Sequence, residues 1–168
     1  MIMDIRLVRI DDRLIHGQVA TVWTKHSKIN RILVVSDDVA KDSMRKLLLT
    51  QAAPANILVN VIPVNKLIDI STDVRFIDDI KAMLLFTNPK DVRRVVEAGV
   101  PIPSINVGGM SYQSGKKMIT NAVAVDEEDI SDFYYLHSKE IPIEIRKVVA
   151  ESSVDMIQLL DKHMENSL

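Results

Sequence analysis

Residues 3–27 read Met3-Asp-Ile-Arg-Leu-Val-Arg-Ile-Asp-Asp-Arg-Leu-Ile-His-Gly-Gln-Val-Ala-Thr-Val-Trp-Thr-Lys-His-Ser27. Three segments follow one another here. Met3–Ile10 is apolar and β-branched, which predicts a strand. Asp11, Asp12, Arg13 and His16 then crowd charge into a short loop. From Gly17, the residues Val19, Val22, Trp23 and His26 recur at the i, i+3, i+4, i+7 spacing of one helix face, which predicts a helix over 17–27. The opening of the chain is therefore a strand, a charged loop and a helix.

The same alternation continues outward. Further strands are expected at Arg31–Ser36, Ile57–Pro63, Ala82–Phe86, Ser104–Val107, Asn121–Val125 and Ile143–Val149. Most are apolar at successive positions rather than at every second one, the pattern of strands covered on both faces. A helix over 38–52 carries Met44, Leu47, Leu48 and Gln51 on one side. A short helix near Val64–Ile70 precedes an irregular stretch. Asn88 and Pro89 supply a cap and a first-turn proline, Val92, Val95 and Val96 a stripe, and Gly99 a stop. Asp126 caps a helix carrying Ile130, Phe133 and Tyr134. Ser153 opens the last one, with Met156, Leu159 and Leu160 inside. The expected fold is α/β: an open, mainly parallel central sheet of about seven strands with helices on both faces, in one domain over residues 1–168. Ligands of such sheets bind outside the carboxyl ends of the strands. The loops to inspect are 10–18, 36–38, 87–89 and 108–116.

Composition narrows the chemistry. With 168 residues the chain can bury about 70% of its unfolded surface, so it needs no cross-links. It has no cysteine, which excludes disulfides, thiolate metal sites and a cysteine nucleophile. The 21 basic and 23 acidic residues are interspersed and the net charge is -2, which argues against nucleic acid as the main partner. The N-terminus reads as a strand rather than a signal segment, and no apolar run approaches the roughly 18 residues of a membrane span.

The loop after the first strand carries the parts of a phosphoryl-transfer site. Unperturbed histidine is a neutral nitrogen nucleophile near neutral pH, and His16 supplies it. Asp11 can fix the imidazole tautomer. Arg13 and Arg9, with the amides around Gly17 and Gln18, can neutralise a phosphoryl group at a helix start. Two other anion chemistries fail here. A receiver domain needs an aspartate closing the third strand, where this chain has Val61-Ile-Pro-Val64. The loop also lacks the glycine spacing of a P-loop or dinucleotide fingerprint.

The string Arg9-Ile-Asp-Asp-Arg-Leu-Ile-His-Gly-Gln-Val19 resembles the active-site signature of the mannose/fructose/sorbose-family IIB domains of the bacterial phosphotransferase system. Four more blocks are similar and stand in family order: Val34-Val-Ser-Asp37, Gln51-Ala-Ala-Pro54, Leu85-Phe-Thr-Asn-Pro89 and Ile105-Asn-Val-Gly-Gly-Met110. The resemblance implies that His16 accepts a phosphoryl group, through its δ1 nitrogen, from a phosphohistidine on a IIA protein. It implies transfer to a sugar entering through the membrane components IIC and IID. It places the chain in the cytoplasm, at the membrane only through those partners, without metal or organic cofactor. Asp11, Asp12 and Arg13 carry over by position. A competing reading keeps the same edge as a non-catalytic anion- or metabolite-binding regulatory module.

The remaining polar residues read mostly as structural. His26 suits packing or charge compensation at a helix end, as do His137 and His163. Trp23 fits the core side of the first helix. Thr87-Asn88-Pro89 starts a helix at the active edge. Gly108-Gly109 makes a tight turn there or lets backbone approach a ligand. Lys116-Lys117 is a small basic pair suited to solvent or to an acidic partner.

Overall fold

The computed structural model describes residues 3–76 and 79–166, and of Gln18 and Val19 the backbone alone. Its centre is a seven-stranded sheet in the order β3-β2-β4-β1-β5-β8-β9. These strands are β1 (Asp4–Asp11), β2 (Arg31–Val35), β3 (Leu58–Ile62), β4 (Lys81–Phe86), β5 (Ile105–Gly109), β8 (Ile143–Ile145) and β9 (Val154–Asp155). All neighbours pair in parallel except β8 with β9. Two short strands, β6 (Lys117–Met118) and β7 (Ala124–Val125), form a separate antiparallel pair.

Strand side chains alternate between two apolar layers. Ile32, Val34, Met83 and Leu85 face one way, where α1 (Gly17–Ser27), α2 (Asp37–Lys41) and α3 (Ser43–Gln51) cover them with Ala20, Val39 and Leu49. Leu33, Val35, Leu84 and Phe86 face the other way, under α4 (Val64–Ile70), α5 (Pro89–Glu97), α6 (Glu127–Ser138) and α7 (Met156–Glu165). Double-sided burial is why these strands read as unbroken apolar runs.

Four expectations are corrected. Asn121–Val125 does not join the central sheet, and its place is taken by β9, which Asp155 separates from α7 by accepting the Gln158 amide at 3.0 Å. The strand expected over Ile143–Val149 stops at Ile145, because the next two carbonyls are bound by the Arg9 side chain instead of a neighbouring strand. The helix expected over 38–52 breaks at Asp42, whose carboxylate caps α3 by accepting the Arg45 amide. The break resets the helix phase, so Leu49 faces the sheet and Met44, Leu47 and Leu48 face solvent. In α1 the packed positions are Ala20, Trp23 and Thr24; Val22 and His26 are exposed. Val19's side chain lies outside the described residues.

Candidate functional site

The loop after β1 departs toward the α1 layer, and the chain after β5 crosses to the α6 layer. Between the two neighbouring strands opens a crevice of the kind that holds ligands in parallel sheets. Asp11, the last residue of β1, is fully buried in it. One carboxylate oxygen accepts the Arg13 amide at 3.1 Å and Arg13 Nε at 2.9 Å. The other accepts Arg9 Nη2 at 3.1 Å and Arg13 Nη2 at 2.9 Å. Asp11 is thus spent on two arginines, and the expected contact with the imidazole is absent. His16 is held by the backbone instead: its Nδ1 lies 2.9 Å from the Leu14 carbonyl oxygen. Leu14 aims that carbonyl from a left-handed backbone (φ 62°), kept there by a buried side chain.

The two arginines divide sharply. Arg9 has a side chain only 3% exposed. Besides Asp11 it donates to Asn106 Oδ1, to the Arg146 carbonyl at 3.1 Å and to the Lys147 carbonyl at 2.9 Å. Its guanidinium also lies 5.0 Å from the centre of the Trp23 ring, whose Nε1 donates to the same Lys147 carbonyl. Burial pushes Arg9 below the ordinary arginine value, against the pull of Asp11. Arg9 is therefore a buried strut and not the phosphate ligand expected from the sequence. Arg13 is 36% exposed, and its hydrogen bond to Asp11 raises its already high pKa. Among the described residues its Nη1 donates no hydrogen bond.

Two glycines make room for these side chains. A Cβ on Gly108 would stand 2.0 Å from Arg9 Nη2, and one on Gly109 would stand 3.0 Å from Arg13 Nη2. Asp12 ties the two loops together by accepting the amide and hydroxyl of Ser111 at 2.7 and 2.9 Å. Its role is to position the rim. Asn106 was missed in the sequence, since nothing local marks it as Arg9's partner. Thr87-Asn88-Pro89 does what a helix start requires: Asn88 accepts the Asp91 amide at 2.9 Å. Lys116 is occupied by Asp129 at 3.0 Å.

His16 is the N-cap residue of α1 but caps nothing with its side chain, and no acidic residue lies in the first turn. The other N-termini differ. Ser36, Asp42, Asn88, Asp126 and Asp155 cap α2, α3, α5, α6 and α7, and Asp37 takes the first amide of α4 at 2.9 Å. Among the described residues α1 alone presents an open N-terminus, which favours an anion. Gly17 starts it at φ +51°, exposed and unobstructed. The side chain of Gln18 lies outside the described residues; its backbone is helical. Behind His16, Leu14, Ile15, Ala20 and Trp23 leave a cavity of only about 10 Å³, too small for a ligand. The open clefts of about 460 and 340 Å³ lie at the opposite edge, around the starts of β1, β5 and β8. Among the described residues no three His, Cys, Asp or Glu are grouped to hold a metal ion, and no helix is long and apolar enough to cross a membrane.

Comparison with known proteins identifies the family and the fold. The family model described as "PTS system sorbose subfamily IIB component" matches residues 5–167. The "PTS system mannose-specific EIIAB component" of Escherichia coli K12 is 51% identical over 160 residues, covering 95% of this chain and 49% of that protein. The chain thus spans about half the length of that relative. The "PTS system fructose-specific EIIB component" of Bacillus subtilis 168 is 44% identical, over 94% of this chain and 96% of that protein. The crystal structure of the IIBSor domain of the Klebsiella pneumoniae sorbose permease superposes with a TM-score of 0.93 at 41% identity, covering 95% and 98% of the two chains.

Proposed function

The chain belongs to the sorbose-subfamily IIB components of the sugar phosphotransferase system, and on that premise we propose that His16 is its phosphoryl carrier. The observation that carries this reading is the placement of His16 at the open N-terminus of α1, three residues after the half-exposed Arg13 in the same loop. The imidazole attacks a phosphoryl group presented by a phosphohistidine on a IIA protein. The N–P bond to the donor breaks as the new one forms, and the donor leaves with the electron pair. Arg13 and the first amides of α1 neutralise the equatorial oxygens. Asp11 acts through Arg13, locking the guanidinium in place. The group then passes to a sugar arriving through the membrane components IIC and IID, at the cytoplasmic side, with residues 1–168 acting as one unit and no cofactor.

The shallow surround suits this chemistry, because one phosphoryl group must be shared by side chains of two proteins. The Leu14 contact places the proton on Nδ1 and leaves the Nε2 lone pair free. Transfer through Nδ1, the nitrogen implied by the family resemblance, requires the ring to turn away from Leu14 first.

Incubation with phosphoenolpyruvate, the upstream carriers and a IIA protein tests the assignment. An acid-labile, base-stable adduct is expected on His16, and none on a folded His16→Ala variant. Equal labelling of that variant overturns it. Saturable anion binding without any phosphohistidine favours the regulatory module instead.

A further inference from the structure

The α1–α3 layer has an outer surface that the carrier reading leaves unused. All of residues 41–48 are exposed. Met44, Leu47 and Leu48 stand at i, i+3 and i+4 on α3 with exposures of 66%, 51% and 57%. A nine-residue helix is marginal without packing, and α3 buries only Leu49. Three large apolar side chains on one helix face, all left to water, mark a surface that a partner covers.

Charge says what kind of partner. The net charge of the chain is -2, yet α1 and α3 contain no Asp or Glu at all. Their charged residues are Lys25, Arg45 and Lys46, joined by Lys28 and Lys41 at the helix ends, all exposed. Lys25 and Lys28 line an open groove of about 220 Å³ between α1 and the loop at Pro54 and Ala55 that follows α3. The carboxylates of this layer gather at the 37–42 turn. There Asp37 is bound by Arg94 and the Val64 amide, and Asp42 caps α3, which leaves Asp38. The acidic side chains of α6 lie on the other face of the sheet.

We infer that the apolar–basic face formed by α3 and the outer side of α1 docks a protein surface with an apolar centre and a carboxylate rim, belonging to the soluble phosphodonor. This rests on the carrier reading above. α1 carries His16 at its head and forms one wall of the face, and β1 stands three strand spacings, about 14 Å, from β3 beneath α3. One partner can therefore cover both His16 and α3. The alternatives fit the charge less well. A second copy would set cations against cations. Cytoplasmic loops of membrane proteins carry an excess of Lys and Arg and would be repelled. A bilayer would gain only one short helix.

The test pairs two variants, Leu47→Ser/Leu48→Ser and Arg45→Glu/Lys46→Glu, both at exposed positions. The ¹⁵N-labelled chain is titrated with an unphosphorylated IIA protein of the mannose family. Signals of residues 22–28 and 41–50 should shift, and each variant should weaken the Kd about ten-fold. The charge reversal should also flatten the salt dependence. With phosphorylated donor, KM should rise while transfer at saturation stays unchanged. The inference is overturned if both variants bind within two-fold of the parent or if shifts stay confined to residues 9–17 and 108–116. Loss of phosphatidylglycerol-vesicle binding, or of a dimer in sedimentation, with IIA binding intact overturns it too. Because this titration needs no phosphoryl group, failure of His16 to accept one defeats the carrier reading alone.

Discussion

At the carboxyl edge of the sheet, Arg9, Asp11 and Arg13 stand over β1 and β5, while Arg94, Asp37 and Asp91 stand over β2 and β4. Each cluster is arginine bound to aspartate at close to 3 Å. Their surroundings differ. The Asp11 side chain is 1% exposed and that of Asp37 is 36% exposed. Asp11 binds two guanidinium groups that Gly108 and Gly109 admit, and the loop it opens ends in a histidine at an uncapped helix start. Asp37 serves the N-terminus of α4, and Asp91 lies in the first turn of a helix already capped by Asn88. Paired charge at a sheet edge is common. What singles out one of them as the candidate site is burial on one side and an uncapped helix end on the other.

The largest contrast should come from breaking each cluster the same way. Asp11→Asn leaves Arg9 buried without its counter-charge and should cost about 3–5 kcal/mol in urea unfolding. Gly108→Ala should cost a similar amount, since its Cβ would lie 2.0 Å from a guanidinium pinned by four partners. Losses under about 1 kcal/mol in both would show that Arg9 is not a strut.

Much of this arrangement was legible in the sequence, for identifiable reasons. The order of elements was readable because strands buried on both faces show as apolar runs, and because Asn88 and Asp126 mark helix starts. His16, Arg13 and Gly17 could be proposed together because they lie within one loop, so their grouping needs no knowledge of the strand order. The role of Arg9 was not. Its partners Asn106, Arg146 and Lys147 lie 97 to 138 positions away, and only strand order brings them together. The exposure of α3 was hidden for a related reason. A stripe at helical spacing shows that one side is apolar and leaves open whether that side meets the sheet or a partner.

Arg13 sharpens the comparison on the side of chemistry. Arg13→Ala should slow phosphoryl uptake by His16 about 100-fold, as loss of one charge-stabilising donor does elsewhere. Stability should change little, since Arg13 is half-exposed. Gly109→Ala should lower the rate less, because its Cβ, 3.0 Å from Arg13 Nη2, would displace the guanidinium by a few tenths of an ångström and leave its charge in the loop. A rate unchanged in both, measured by rapid quench, would remove Arg13 from the reaction. Asp37→Asn should cost under about 1 kcal/mol, because the amide oxygen can still accept the Val64 N–H and the Arg94 pair is open to water. It should leave transfer untouched.

The smallest effect is the dependence of stability on pH, where the two kinds of carboxylate pull in opposite directions. Burial raises Asp91, Asp129 and Asp132 above the ordinary carboxylate value of 3.8, against the opposing pull of Arg94, Lys116 and Arg93. Their folded forms bind a proton more tightly than the unfolded chain does. Acidification from neutral pH toward 3.8 therefore protonates the native state first and adds stability. Asp37 is held below 3.8, first by the Val64 amide and then by Arg94. The stability it contributes is complete above 3.8 and is lost as pH falls through its lower folded value. Urea midpoints should thus pass through a maximum in the mildly acidic range. Many groups contribute to those midpoints, so the informative quantity is the difference between the parent chain and Asp132→Asn. That difference should move in favour of the parent as pH drops from 7 toward 4. A difference that stays flat, or moves the other way, would mean that Arg93 outweighs burial at Asp132, and the contrast between buried and solvated carboxylates would fail at that residue.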